Sequence, residues 1–302
     1  MSFNENGSPV CVTGITGNVG SEVAKHLLEL GEKIVGAVRP GKAEMKQFEG
    51  IEYRSFDFTD ETTWEPTLQG VERIFLIRPP HIANIKRDIR PFLCFLSERN
   101  IKQVVFLSVQ GAENKTVIPH SKIEKEMQNL NLPYVFLRPS FFMQNFSTVH
   151  LPEIRDEKRI FVPAGKGKTN FIDVRDIGEF AAKVLSENGH TGKAYNLFGP
   201  ENLSYEEVAL EFSEGLHQPV VYKSANPVSF IAYHTRKGRS LKFGLLMLAL
   251  YSASRFGKAE AGVQHNDYTR IMGKEPTRLI DFIRCNADVF KKEEAAGESG
   301  AE

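Results

Sequence analysis

The sequence predicts an α/β protein built on a doubly wound parallel sheet, and three observations predict it. Residues 10–20 read Val-Cys-Val-Thr-Gly-Ile-Thr-Gly-Asn-Val-Gly, an apolar strand running straight into a glycine-rich turn. Short apolar runs and amphipathic segments then alternate through residue 140, as strands and helices of such a sheet should. Each strand ends on a polar or kinked residue: Thr13, Arg39, Asp57, Arg78, Ser108 and Arg138. Ligands of open α/β sheets sit at the carboxyl edge of the strands, so that row marks a binding crevice.

The elements follow in order. After the turn, residues 21–30 form a helix with Val23, Ala24, Leu27, Leu28 and Leu30 on one face, stopped by Gly31. A strand is expected at 33–38 and another at 51–56, the latter ending in Asp57-Phe58-Thr59-Asp60. A short helix at 61–68 leads to a strand at 73–77 that closes on Arg78-Pro79-Pro80. A long helix is expected at 84–100, a strand at 104–107, a helix at 120–130 and a strand at 134–137 before Arg138-Pro139-Ser140.

A strand that turns through glycines into a helix points backbone N–H groups and a positive helix end at whatever lies above it, which makes a pyrophosphate cradle. Gly14 permits the tight turn, Gly17 leaves room for a phosphate, and Gly20 lets helix pack on strand. At the end of the second strand, an acidic residue usually holds the adenosine ribose. Here the residue is Arg39, whose planar fork suits a 2′-phosphate, so NADP(H) is favoured over NAD(H).

Composition bounds the partners. The 302 residues carry 38 basic and 38 acidic side chains, so net charge draws the chain neither to nucleic acid nor to an anionic membrane. Three scattered cysteines (Cys11, Cys94, Cys285) suggest neither a disulfide framework nor a metal site, and Cys11 and Cys94 read as small buried hydrophobes. The polar start is not expected to act as a signal peptide, and the apolar run 243–251 is too short to span a bilayer and reads as a buried helix. A cytoplasmic protein, monomer or homodimer, is expected, with disordered ends at 1–8 and 291–302.

Five segments then become specific together. Thr13-Gly-Ile-Thr-Gly-Asn-Val-Gly20, Asp57-Phe-Thr-Asp60, Leu137-Arg-Pro-Ser-Phe-Phe-Met-Gln-Asn-Phe146, Phe171-Ile-Asp-Val-Arg-Asp-Ile177 and Tyr195-Asn-Leu-Phe-Gly-Pro-Glu201 occur in this order. The chain resembles the NmrA-like atypical short-chain dehydrogenases over residues 8–290, and within them the triphenylmethane-dye reductases and related NADPH quinone reductases. The resemblance implies a Rossmann core at 9–146 and 169–198, with a smaller, mainly helical substrate subdomain at 147–168 and 199–290. It implies that Gly14, Thr16, Gly17, Asn18 and Val19 hold the pyrophosphate, that Asp57 and the backbone of Phe58 face the adenine, and that Arg78, Pro79, Ser108 and Val109 line the nicotinamide half.

One departure bears on chemistry. Short-chain dehydrogenases place Tyr-x-x-x-Lys after the serine, the lysine lowering the tyrosine's pKa. Here the segment reads His120-Ser-Lys-Ile-Glu124, with His for Tyr and Glu for Lys. The Tyr233–Lys237 match lies in the subdomain, is easily produced by chance among eight tyrosines, and is rejected. A ketone needs a positioned acid, whereas a quinone yields a stable phenolate and a cationic dye needs no proton. The reading is therefore hydride transfer from NADPH to an electron-poor conjugated acceptor, with Ser108 and His120 as catalytic candidates and an idle His120 equally weighed. Phe141, Phe142 and Asn145 are the substrate candidates, stacking surfaces and a hydrogen-bond donor, whereas Met143 and Phe146 read as core. Phe230, Tyr233 and His234 either cap the pocket or belong to core or surface, and Arg175 with Asp176 reads as structural. A dinucleotide-sensing regulator without turnover stays open as a second class, and a nucleotide-sugar epimerase, which needs the absent tyrosine, as a weaker third.

Overall fold

The computed structural model describes residues 7–42, 48–263 and 266–291. In chain order, the first stretch gives β1 Val10–Thr13, α1 Asn18–Glu29, β2 Ile34–Val38, β3 Glu52–Ser55, α2 Trp64–Leu68 and β4 Arg73–Leu76. Then come α3 Ile85–Asp88, α4 Arg90–Ser97, β5 Gln103–Leu107, α5 Pro119–Asn129 and β6 Tyr134–Pro139. The chain continues with β7 Phe141–Phe142, α6 Gln144–Thr148, α7 Leu151–Glu157, β8 Arg159–Val162, β9 Lys168–Ile172, α8 Val174–Ser186 and β10 Lys193–Leu197. It ends with β11 Asn202–Ser204, α9 Tyr205–Leu216, β12 Val221–Ser224, α10 Pro227–Arg236, α11 Leu241–Arg255, α12 Asp267–Met272, α13 Leu279–Cys285 and α14 Ala287–Phe290.

Seven strands form one parallel sheet in the order β10-β6-β5-β4-β1-β2-β3. Every residue of β1, β2 and β5 is buried, as strands covered on both faces must be. The order reverses between β1 and β4, which puts the topological switch point at the carboxyl ends of those two strands. Helices α1 and α8 cross closely: a Cβ on Gly178 would stand 2.6 Å from Glu22 Cβ. Phe56, Phe58, Trp64 and Phe92 interlock edge to face beneath the loop after β3, with ring centroids 4.8–5.5 Å apart.

The chain divides into two compact units. The first takes the described parts of 1–140, 174–197 and 265–275, and the second those of 141–173, 198–264 and 276–302. The second unit is mainly helical, with two small sheets, β11-β9-β7 and β12-β8. Its core gathers Phe146, Phe171, Tyr205, Phe212, Phe230 and Phe282.

Several expectations shift. The first boundary falls at Ser140 rather than after 146, because Phe141 and Phe142 pair with Phe171 and Ile172 of β9. Residues of 265–275 join the sheet unit: Asn196 N–H donates to Asp267 Oδ2 (2.7 Å), and Tyr268, fully buried, donates to Glu179 Oε2 (2.8 Å). The helix expected at 84–100 is two helices broken at Ile89, since Pro91 has no N–H for the preceding turn and instead opens α4. Most of the expected disordered ends, 1–6 and 292–302, lies outside the described residues, but Ser8 is fixed: its hydroxyl donates to Glu72 and its carbonyl accepts from Arg73. Cys11 is buried as expected, Cys94 only half-buried, and Cys285 exposed. The run 243–251 lies in α11, which buries one side only and leaves Leu245, Leu246 and Leu250 exposed. No helix among the described residues is long and apolar enough to cross a membrane.

Candidate functional site

The glycine turn sits at the switch point and is tied down there by Thr13. Its hydroxyl donates to Phe75 O (3.1 Å) and accepts from Ile77 N–H (2.8 Å), locking the end of β1 to that of β4. Gly14 holds φ +64°, a conformation costly for other residues. A Cβ on Gly20 would lie 2.2 Å from Gly14 O, so Gly20 is required by the turn backbone itself rather than by the strand. Gly17 N–H donates to Gly14 O, and Gly14, Thr16, Gly17 and Asn18 are exposed. No side chain caps α1 and no acidic residue stands in its first turn. With Gly17 N–H spent inside the turn, it is the uncapped start of α1, with its N–H groups and positive helix end, that fits a phosphate group.

Arg39 follows β2 directly. It is exposed and makes no ion pair or side-chain hydrogen bond among the described residues. Asp57 is half-buried, its Oδ1 taking both the N–H and hydroxyl of Thr59 at 2.7 Å. The ring of Phe58 is committed to the aromatic cluster, so only its backbone is available. Arg78 folds onto its own loop, donating to the carbonyls of Pro79 (2.9 Å), Pro80 (3.2 Å) and Ile82 (2.7 Å). Its Nε is buried without a partner among the described residues, and burial pulls its pKa below the usual range.

The two catalytic candidates have different surroundings. His120 packs tilted over Phe106, with ring centroids 6.1 Å apart. Burial and the neighbouring positive charge of Arg78 push its pKa down to about 4, so at neutral pH it is an uncharged ring. Ser108 is buried and donates to Glu124 Oε1 at 2.5 Å. Glu124, also buried, accepts a forked pair from Arg138: Nε to Oε1 (3.0 Å) and Nη2 to Oε2 (2.6 Å). Arg138 Nη1 lies 3.1 Å from Glu113 as well. Burial pulls Arg138 down, but the two carboxylates outweigh it and hold the guanidinium above its ordinary range. A carboxylate thus stands where the dehydrogenase pattern has an ammonium. The spacing His120-x-x-x-Glu124 flagged the position, but nothing in the sequence paired it with Arg138. Glu124 and Arg138 also line a cleft of about 1060 Å³ along α5 that includes no residue of the glycine turn.

The substrate candidates belong to the second unit. Phe141 and Phe142 are half-buried in β7, and Asn145, on α6, has no side-chain partner among the described residues. Met143 and Phe146 are core. Phe230 and His234 are buried in that unit too, and so cap nothing. Tyr233 donates to Glu157 (2.6 Å), and burial with that carboxylate raises its pKa. Lys237 faces the same Glu157 at 3.1 Å, so it does not serve to acidify Tyr233. Asp176, on α8, has its Oδ1 3.4 Å from the Tyr268 hydroxyl, whose proton goes to Glu179, in keeping with the structural place expected for it. No cluster suited to a metal ion occurs among the described residues.

A doubly wound parallel sheet with a glycine turn at its switch point defines a Rossmann-type α/β protein, here with an arginine at the next strand end. The chain belongs to the NmrA-like family, whose model matches residues 6–236. Prestalk A differentiation protein A of Dictyostelium discoideum is 31% identical over 284 residues, covering 91% of this chain and 91% of the relative. The triphenylmethane reductase of Citrobacter sp., solved in complex with NADP(H), is 25% identical with a TM-score of 0.82, covering 92% of this chain and 99% of that one. The NADPH-dependent quinone oxidoreductase of Escherichia coli is also 25% identical, with a TM-score of 0.79 and coverage of 91% and 98%.

Proposed function

We propose that the protein is an NADPH-dependent oxidoreductase that reduces electron-poor conjugated acceptors, quinone-like or dye-like, without a Tyr-x-x-x-Lys pair. The observation that carries it is the Ser108–Glu124–Arg138 network, because a carboxylate at that position cannot lower a phenol's pKa. A site of this kind suits an acceptor whose reduced form needs no strong acid. The NADP(H) complex of the Citrobacter reductase and the NADPH dependence of the Escherichia coli enzyme support the cofactor.

The N–H groups of Asn18 and Val19 at the start of α1 would hold the diphosphate, with Gly14, Thr16 and Gly17 shaping the turn beside it, and Arg39 would hold the 2′-phosphate. Asp57 and the Phe58 backbone would bound the adenine, while Arg78, Pro79 and Ser108 would bound the nicotinamide half. When bound, NADPH supplies the hydride. Phe141 and Phe142 would offer aromatic faces to a flat acceptor, and the Asn145 amide a donor to its oxygen. His120, neutral, would hydrogen-bond rather than deliver a proton from an imidazolium.

The test is NADPH oxidation by purified protein against benzoquinones, naphthoquinones and cationic dyes, with NADH in parallel. Turnover favouring NADPH supports the reading. Tight NADPH binding with no acceptor consumed would instead make the protein a dinucleotide-sensing regulator.

A further inference from the structure

We propose that the α10–α11 hairpin is a peripheral docking surface for an anionic lipid bilayer. The overall balance of 38 basic and 38 acidic residues conceals a local asymmetry. Between Glu214 and Glu260 the chain carries no acidic side chain and seven basic ones. Two of these are used locally, Lys237 against Glu157 and Arg239 on the carbonyl of Val149. The other five, Lys223, Arg236, Lys242, Arg255 and Lys258, are exposed and make no ion pair among the described residues.

Helix α11 presents an apolar face within this basic segment. Gly244, Met247, Tyr251 and Ser254 turn inward. At 100° per residue, Leu241, Leu245, Leu246, Ala249 and Leu250 fall on the opposite arc, with Lys242 at its middle. Leu241 is 57% exposed, Leu245 50%, Leu246 60%, and Phe256, just beyond the helix, 71%. Single exposed leucines are ordinary, but a run of them along one helix face is an interaction surface.

Charge selects the occupant. Arg236 and Lys242 flank the start of the 15-residue helix and Lys258 follows its end, while Arg255 lies over Gly165, so cations stand at both ends of an apolar strip about 22 Å long. A second copy docked on this face would set like charge against like. A bilayer containing acidic lipids meets both needs, with acyl chains for the leucines and head groups for the cations. A helix of this kind lies in the plane of the interface, so no membrane-spanning length is needed.

Co-sedimentation of the full chain with phosphatidylcholine vesicles, with and without phosphatidylserine, tests this. Binding is expected only with phosphatidylserine and should weaken with added salt. Arg236→Gln with Lys242→Gln should lower it about 25-fold, at roughly fivefold per basic residue near an anionic surface. Leu245→Asp with Leu246→Asp should abolish it, and both exposed pairs should leave the circular-dichroism spectrum unchanged. The proposal is overturned by no binding to phosphatidylserine vesicles or by binding that survives both variants. It is also overturned by a protein dimer that the leucine variant dissolves and vesicles do not displace. None of these outcomes depends on whether the protein turns over NADPH.

Discussion

The hydroxyl of Ser108 donates to Glu124, and the same carboxylate is gripped by Arg138, so the serine's proton is already spoken for inside the protein. Ser108 can then only accept from a ligand, the reverse of the donor role a serine plays toward a substrate carbonyl. Glu124 is buried and Arg138 part-buried, so removing Glu124 leaves a partly desolvated guanidinium with Glu113 as its remaining carboxylate among the described residues. Breaking a buried pair from one side costs about 3–5 kcal/mol. We expect Glu124→Ala to lose stability on that scale in urea unfolding, and Glu124→Gln to lose less because it can still accept from Ser108. An unchanged unfolding midpoint in Glu124→Ala would show that the network contributes nothing.

Arg39 is exposed and has no side-chain partner among the described residues, so its expected part is toward a ligand. Arg39→Ala should raise KM for NADPH roughly tenfold to a hundredfold, the worth of a charge-assisted contact to phosphate, and leave KM for NADH unchanged. Steady-state kinetics with both cofactors would decide it, and equal losses for the two would remove Arg39 from the 2′-phosphate.

The glycines of the turn separate by role. A Cβ at position 20 would run into Gly14 O at 2.2 Å and Gly14 C at 2.6 Å, whereas one at position 17 meets only Gly14 O at 3.3 Å. Gly20→Ala should cost about 1–3 kcal/mol of stability by overpacking, and weaken NADPH binding as a consequence. Gly17→Ala should keep the wild-type unfolding midpoint and weaken NADPH binding alone. Denaturation curves beside fluorescence titrations of NADPH would test the contrast, which fails if both variants unfold alike.

The glycine turn and the position of Arg39 at the next strand end were legible in the sequence because both depend on residues within one β–α–β unit, where spacing fixes geometry. The Ser108–Glu124–Arg138 network was not, since it joins a strand end, a helix and the next strand end through side-chain direction. Each member was visible as a polar residue in a suggestive place, but the pairing was not. The break at Ile89 was readable from Pro91, whose missing N–H a long apolar period concealed. The run 243–251 failed differently: uniform apolarity has no period, so sequence alone could not show that Met247 turns inward while Leu246 faces out. The return of Tyr268 to the sheet unit rests on Glu179, 89 residues away in sequence.

Stability below neutral pH should be governed by opposing groups. Burial pushes His120 and His234 down to about 4, against an ordinary value of 6.5. Between those values the unfolded chain binds protons that the folded one does not, so both histidines favour folding above pH 6.5 and lose that contribution as pH falls toward 4. Glu211 acts in the other direction. Burial and the nearby charge of Glu201 push its carboxyl up to about 7, so the folded state holds a proton that the unfolded one releases above its ordinary 4.5. Its contribution is full below pH 4.5 and lost as pH rises through 7. We expect His234→Gln to flatten the decline in unfolding free energy between pH 6.5 and 4. We expect Glu211→Gln to steepen the decline below pH 7 and to raise stability at pH 8, where the wild-type carboxylate is charged and half-buried. Urea unfolding across that range measures both, and parallel curves for wild type and His234→Gln would mean that His234 titrates at its ordinary value in the fold.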